Sequence, residues 1–322
     1  MLYGMQHSGS NKGMNVPSHP DTEPGKPAAI GPELAWSLLL SLRGLMRTLP
    51  SVSREFSLGL DPHGQPVVTL ADDRPALMTI DRNGSWTAHV PLTQSSAEMF
   101  ELYLPMCLAC RARPLTVGHL GQSLDGRIAT EGGASCYVTG SENLTHLHRM
   151  RALCDAIVVG ASTVQHDNPR LTTRRVAGPH PVRVIIDPRR RLDDSFTLFQ
   201  DQASPTLLAC REELADKAGP GHAQPIAVAR RGQRLDLADL LRQLNARGLY
   251  GIFIEGGGLT VSGFLEGSLL NSLQVTVAPL ILGSGRPSIT LPVIQDLAQG
   301  LRPRYRRYQM GEDLLFDCRL ND

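Results

Sequence analysis

Three stretches of this sequence place small, polar or charged residues directly after a short run rich in Val, Ile and Leu. They are Gly160-Ala161-Ser162-Thr163, Asp187-Pro188-Arg189-Arg190-Arg191 and Glu255-Gly256-Gly257-Gly258. In open α/β sheets, ligands gather beyond the carboxyl ends of strands, so three such ends point to one site rather than three unrelated loops. A glycine run entering a helix lets backbone N–H groups approach an anion with no Cβ in the way, and the helix N-terminus adds a favourable field. Thr260 can add a hydroxyl there. The spacing is neither GxGxxG nor Walker-type, so the run is either a tight turn or a phosphate cradle. Three consecutive arginines are either a solvated basic loop or a selector for a 2′-phosphate, whose oxygens guanidinium forks match well. Together the two features favour NADPH over NADH. Ser123, Asp125 and Arg127 around Gly126 form a further polar cluster, a pattern that is often only a turn.

The elements that must position these residues are legible in part. From Pro114 onward, LTVGHL, DAIVVG, VRVIID, TLLAC, PIAVA and YGIFIEGG alternate with helical segments or long loops. That is the pattern of a largely parallel sheet buried on both faces. Leu237, Leu240, Leu241 and Leu244 recur at helical spacing, with Gly248 as the stop. Leu144, Leu147 and Met150 predict an apolar stripe on another helix. LQVTVAPLILG and a closing hairpin turning near Gly311 predict antiparallel edge strands. Upstream, 31–112 read as a small α+β unit of unassigned role: a helix over 32–47, short strands within 66–90, then a serine-capped helix that Pro105 could kink. Residues 1–30, rich in Gly, Ser, Pro and Asn, predict a disordered tail.

Composition excludes several classes. A formal net charge of +1 gives no global attraction to nucleic acid or anionic membrane, so any basic site is local. No apolar run reaches the ~18 residues of a membrane span, and no apolar leader is visible, so the expectation is a cytoplasmic protein. Cys107 and Cys110 form a CxxC with no second ligand pair after it, so no metal site is expected and the six cysteines read as buried or incidental thiols.

The order of the motifs is more specific than any one of them. SLDGRIA, VGASTVQHDNPRLTTR, RVIID and EGGGLTVSGFL resemble, in sequence and order, the strings of the RibD-type pyrimidine reductase of riboflavin biosynthesis. The resemblance covers 113–322. It implies a dihydrofolate-reductase-like α/β fold with antiparallel C-terminal edge strands, and a homodimer. It implies NADPH-dependent reduction of a 5-amino-6-(5-phosphoribosylamino)uracil-like substrate to its ribitylamino product. By the same resemblance Gly160, Ala161, Thr163, Gly256, Gly257, Gly258 and Thr260 would serve the cofactor, joined by Asp187, Arg189 and Arg190 of the strand-end run read above. Arg127, Ser135, Tyr137, Arg151, Asp167, Leu171 and Arg174 would face the substrate, with Asp167 and Glu255 as the catalytic carboxyl groups. His166 is either a solvated loop residue or a proton relay. Arg127, Tyr137, Asn168 and Pro188 stand where the family strings carry other residues. The deaminase zinc signature that accompanies this reductase is missing from 1–112, so a stand-alone reductase is expected. A same-fold reductase of a related pyrimidine or pterin, and a non-catalytic cofactor-binding paralogue, remain open on sequence alone.

Overall fold

The computed structural model describes residues 27, 29–49, 55–70, 76–134 and 138–320. Most of the predicted tail, together with Ser135 and Tyr137, lies outside the described residues. Ile30, placed in that tail by composition, is fully buried, and its N–H donates to the Pro91 carbonyl at 2.8 Å. Its side chain belongs to the core, so Ile30 itself is not part of a tail.

Helix α1 (Pro32–Met46) opens with proline, tolerated where a first-turn N–H has no helical acceptor. Ala35, Leu38, Leu39, Leu42 and Met46 fall on one face at helical spacing and are buried. Each leucine so buried contributes roughly 1.5–3 kcal/mol. Strands β1 (Phe56–Leu60), β2 (Pro66–Leu70), β3 (Met78–Ile80) and β4 (Trp86–Ala88) form an antiparallel sheet ordered β2-β1-β3-β4. Helix α2 (Gln94–Cys107) is capped by the Thr93 hydroxyl, which accepts from Ser96 N, rather than by a serine. Pro105 falls in its last turn.

The second unit runs β5 (Leu115–Ser123), β6 (Arg127–Ala129), α3 (Ser141–Leu153), β7 (Ala156–Gly160), α4 (Ala161–Asp167), β8 (Val182–Ile186), α5 (Thr197–Gln200) and β9 (Thr206–Arg211). It continues through β10 (Gln224–Val228), β11 (Arg230–Arg231), β12 (Arg234–Leu235), α6 (Leu237–Ala246), β13 (Gly251–Gly256) and α7 (Gly258–Glu266). It closes with β14 (Ser272–Ala278), β15 (Arg286–Pro287), β16 (Arg304–Met310) and β17 (Asp313–Arg319). The main sheet is ordered β10-β9-β8-β7-β13-β5-β14-β17-β16. It is parallel from β10 to β14 and antiparallel at β17 and β16; the closing hairpin forms the expected antiparallel edge, whereas β14, read with it as an edge strand, lies inside the sheet, parallel to β5.

Along β13, Ile252 and Ile254 join the core beneath α6 and α7, while Phe253 joins the opposite core beneath α1, α2 and α3. The N-terminal unit therefore shares one apolar core with the main sheet. Arg43 of α1 is 1% exposed, donates through Nε to the Leu153 carbonyl at 2.7 Å and pairs with Asp155 at 2.6 Å. Asp155, in turn, accepts from the N–H groups of Tyr250 (3.0 Å) and Gly251 (2.8 Å) at the start of β13.

The stripe predicted on α3 is corrected. Leu144 and Leu147 are only half-buried, and the helix turns Asn143, His146 and Met150 inward. The polar groups are accommodated because each has a partner: His119 Nε2 lies 3.2 Å from Asn143 Oδ1, and His146 Nε2 lies 2.9 Å from Gln274 Oε1. Gln274 Nε2 donates to Asp317, so its Oε1 must accept from His146 Nε2–H. His146 Nδ1 then accepts from the Tyr103 hydroxyl at 2.9 Å.

Candidate active site

Strands β7 and β13 are parallel neighbours, and Gly256 pairs with Val159 at their carboxyl ends. Helices α4 and α7 start immediately beyond, so two helix N-termini meet at one edge of the sheet. Glycine is required on both sides of that meeting. A Cβ on Gly160 would lie 2.6 Å from Thr260 Oγ1, and one on Gly257 would lie 3.0 Å from Thr163 Oγ1. Gly257 also caps α7 at φ 65°, and Gly256 is at φ 140° with open space beside it. A Cβ on Gly258 would stand 2.5 Å from the Ser288 carbonyl oxygen, because 285–290 straps across this turn. The strap is fastened by Thr290 N to Ser262 Oγ (2.9 Å) and Ser288 N to Gly126 O (3.0 Å).

On the α7 face a cavity of about 620 Å³ opens between that helix and the loop after β8. Ile186, Leu235, Leu237, Leu259 and Leu291 supply apolar walls, Thr260 and Ser262 supply hydroxyls, and Arg189, Arg191, Arg211 and Arg234 supply positive charge. Arg234 lies 3.5 Å from Glu266, whereas no described carboxylate pairs with the other three. The predicted pair Arg189 and Arg190 is corrected here. Arg190, at φ 53°, turns its guanidinium away to the carbonyls of Leu214, Lys217 and Ala218. Asp187 is fully buried and accepts from Leu192 N at 2.9 Å, shaping the loop from within. Ala161 is likewise buried, at 3% exposure. Arg191 is the third arginine of the run read above; Arg211 and Arg234 were missed, since they lie 20 residues or more from that run and only the fold brings them to it.

On the α3 face of the same edge stands an ion pair. Arg151 binds Glu255 with two bonds, Nε to Oε2 at 2.6 Å and Nη2 to Oε1, with the side chains 9% and 11% exposed. Its remaining Nη1 donates to the Thr172 carbonyl at 3.2 Å, so one guanidinium ties the end of β13 to the 168–181 loop. In that loop Arg174 donates through Nη1 to Thr172 Oγ1 at 2.7 Å, and its N–H donates to His148 Nδ1 at 2.9 Å. Burial, followed by the charges of Arg151, Arg174 and Arg175, pulls His148 down to about 4, so it is neutral and can accept. Burial, with Arg151 and Arg170 nearby, also lowers Arg174. His148 and Thr172 were not anticipated, since nothing in their spacing marks them.

The other predicted residues divide. Leu171 is 2% exposed at φ 56°, its side chain in the core, so only its backbone is available to a ligand. Asp167 is an exposed residue ending α4, and Asn168 after it, at φ 40°, accepts from Thr197 N at 2.9 Å. Asparagine tolerates that left-handed backbone better than most residues. His166 lies between the Ser162 carbonyl, 2.6 Å from Nδ1, and Arg286, 3.2 Å from Nε2. Arg127 donates to the carbonyls of Gly283 (3.2 Å) and Gly285 (3.3 Å), which fixes the strap's entry instead of leaving the charge free. Asp125 holds the same segment through the N–H groups of Leu282 and Gly283. Hydrogen bonds from Ser123 and then Leu282 lower the Asp125 carboxyl to about 2. The described thiols of Cys107, Cys110, Cys154 and Cys210 are buried, and Cys318 is half-buried.

A doubly covered, largely parallel sheet with glycine-lined helix entries and a basic cavity at its carboxyl edge defines an α/β domain of the dihydrofolate-reductase-like kind. The family profile described as the RibD C-terminal domain matches residues 116–309. The chain belongs to that reductase family. A protein of Methanothermobacter thermautotrophicus named 2,5-diamino-6-ribosylamino-4(3H)-pyrimidinone 5′-phosphate reductase is 35% identical over 213 residues, covering 64% of this chain and 97% of that one. The riboflavin biosynthesis protein RibD of Aquifex aeolicus is 30% identical over 63% of this chain, which spans only 57% of that longer relative. The solved structure of Acinetobacter baumannii RibD superposes with a TM-score of 0.56 at 25% identity, covering 71% of this chain and 65% of that one.

Proposed function

We propose that this chain reduces the ribosyl group of a phosphoribosylamino-pyrimidine to a ribitylamine, with NADPH as the donor. One observation carries the reading: Gly160 and Gly256–Gly258 bring the entries of α4 and α7 together at the sheet edge, between a basic cavity on one face and the Arg151–Glu255 pair on the other. The residues present fit NADPH. The first N–H groups of α7 with Thr260 would hold its diphosphate, the apolar walls its adenine, and Arg189, Arg191 and Arg211 its 2′-phosphate. When bound, the nicotinamide would supply the hydride.

The chain's own groups do the rest. The ribose ring must open at the carbon bonded to nitrogen, giving an imine that takes up hydride at carbon and a proton at nitrogen. Arg151 and Arg174 orient the anionic substrate. Glu255, both oxygens held by Arg151, would serve as a charged anchor, which leaves proton transfer to Asp167. The relatives' names favour the diaminopyrimidinone, and the motif resemblance the deaminated uracil. Single-turnover oxidation of NADPH with each distinguishes them, and oxidation with neither would overturn the proposal.

We also place the protein in solution in the cytoplasm as a homodimer. No described helix is long and apolar enough to cross a membrane, and edge strand β16 exposes nearly every side chain, Tyr305 included. Sedimentation equilibrium reads the assembly state directly.

A further inference from the structure

The N-terminal unit carries no residue of the site, yet it touches one of the site's walls. Trp36 Nε1 of α1 donates to the Ala177 carbonyl at 3.1 Å, a contact across 141 positions of sequence. Ala177 belongs to the 168–181 loop, which carries Thr172 and Arg174. One residue on, Gly178 stands at φ 143°, and a Cβ there would lie 2.6 Å from Ala152 Cβ of α3 and 3.3 Å from Leu40 of α1. Val176 packs against the same core. The loop is thus fixed on its inner side by α3, through His148 and Arg151, and on its outer side by α1, through Trp36 and Leu40. The Trp36 ring is itself braced, with Arg149 stacked 5.8 Å from its centroid.

We propose that the N-terminal unit completes the substrate site, with Trp36 as a positioning residue that holds the Thr172–Arg174 segment against Arg151. The inference rests on the reading above that this loop faces the substrate. Trp36 touches neither substrate nor cofactor. It acts through the Ala177 carbonyl, so its loss should loosen the grip on substrate without disturbing the glycine cradle or the chemical step.

Three variants test this: Trp36→Phe, which keeps an aromatic ring but removes the donor, Gly178→Ala, which strikes Ala152 from the loop side, and Arg174→Ala. Steady-state kinetics give KM and kcat for substrate and KM for NADPH. Trypsin cleavage after Arg175, followed by mass spectrometry of the fragment beginning at Val176, reports the loop without reference to activity. Loss of one hydrogen bond predicts a roughly fivefold rise in substrate KM for Trp36→Phe, and at least as much for Gly178→Ala. Cleavage after Arg175 should quicken in both, with kcat and the NADPH KM within about twofold of the parent protein. Unchanged substrate KM in both variants, with or without faster cleavage, overturns the proposal if Arg174→Ala raises KM. Unchanged KM in Arg174→Ala overturns the reading of the loop on which the proposal rests.

Discussion

At the residue scale, Glu255 and the pocket arginines make opposite demands on charge. Glu255 is almost wholly enclosed with Arg151, and replacing it by glutamine leaves a buried guanidinium without its counter-charge. Breaking such a pair costs about 3 kcal/mol or more. Glu255→Gln should therefore unfold at distinctly lower urea concentration and lose single-turnover activity together. Arg191 and Arg211 face a cavity and have no described carboxylate to release, so their removal should leave stability unchanged. Arg191→Ala and Arg211→Ala should each raise the NADPH KM by ~10-fold or more while leaving the NADH KM as it was, since a charge-assisted bond to a phosphate is worth ~1.5–3 kcal/mol. Equal losses with both cofactors would show that these arginines do not read the 2′-phosphate. The sequence exposes such residues unevenly. Glycines and arginines at strand ends are visible because the chemistry needs those types there. That Arg190 faces away and Arg211 faces in depends on one positive φ and on strand order, and neither is written in spacing.

At the element scale, the entry to α7 is fixed by backbone on both sides. Gly258→Ala would drive a methyl group against the carbonyl oxygens of Ser288 and Pro287, which cannot rotate aside as a side chain does. Either the turn or the strap must shift, and displacement of this order is expected to raise the NADPH KM by ~10- to 100-fold. An unaltered KM would mean that the strap moves freely. The strands of the main sheet, α6 and the C-terminal hairpin were legible, because period and punctuation agree with burial; β1 and the short strands β6, β11, β12 and β15 were not. The buried face of helix α3 was not: it carries Asn143 and His146, and a hydrophobicity pattern cannot foresee polar groups whose partners lie on β5, β14 and α2. The strap was equally hidden, since 285–290 lies between two predicted strands and only Gly258 reveals how closely it approaches.

At the scale of the whole molecule, the buried histidines set a lower pH limit. Burial first, then the neighbouring His146, takes His119 down to about 3; burial takes His146 to about 4. In the unfolded chain both titrate near 6.5. Between pH 6 and pH 4 the unfolded state thus binds protons that the folded state refuses, and stability falls as pH falls, by up to ~1.4 kcal/mol per unit for each histidine. Thermal melts across that range should show the midpoint dropping steeply, and His146→Gln should flatten the drop. An equally steep fall in that variant would assign the acid sensitivity elsewhere.

Asp155 has a consequence at the opposite edge of the sheet. Its carboxylate is bonded to the first N–H groups of β13 while its own N–H donates to the Gly251 carbonyl at 2.7 Å, and Arg43 pins it from α1. β7 and β13 are therefore stapled at their roots. A slide of one residue between them would turn every side chain of the moving strand over, sending Glu255 to the wrong face. The alignment of the two glycine tips is decided some 17 Å below them, by a carboxylate no ligand ever meets.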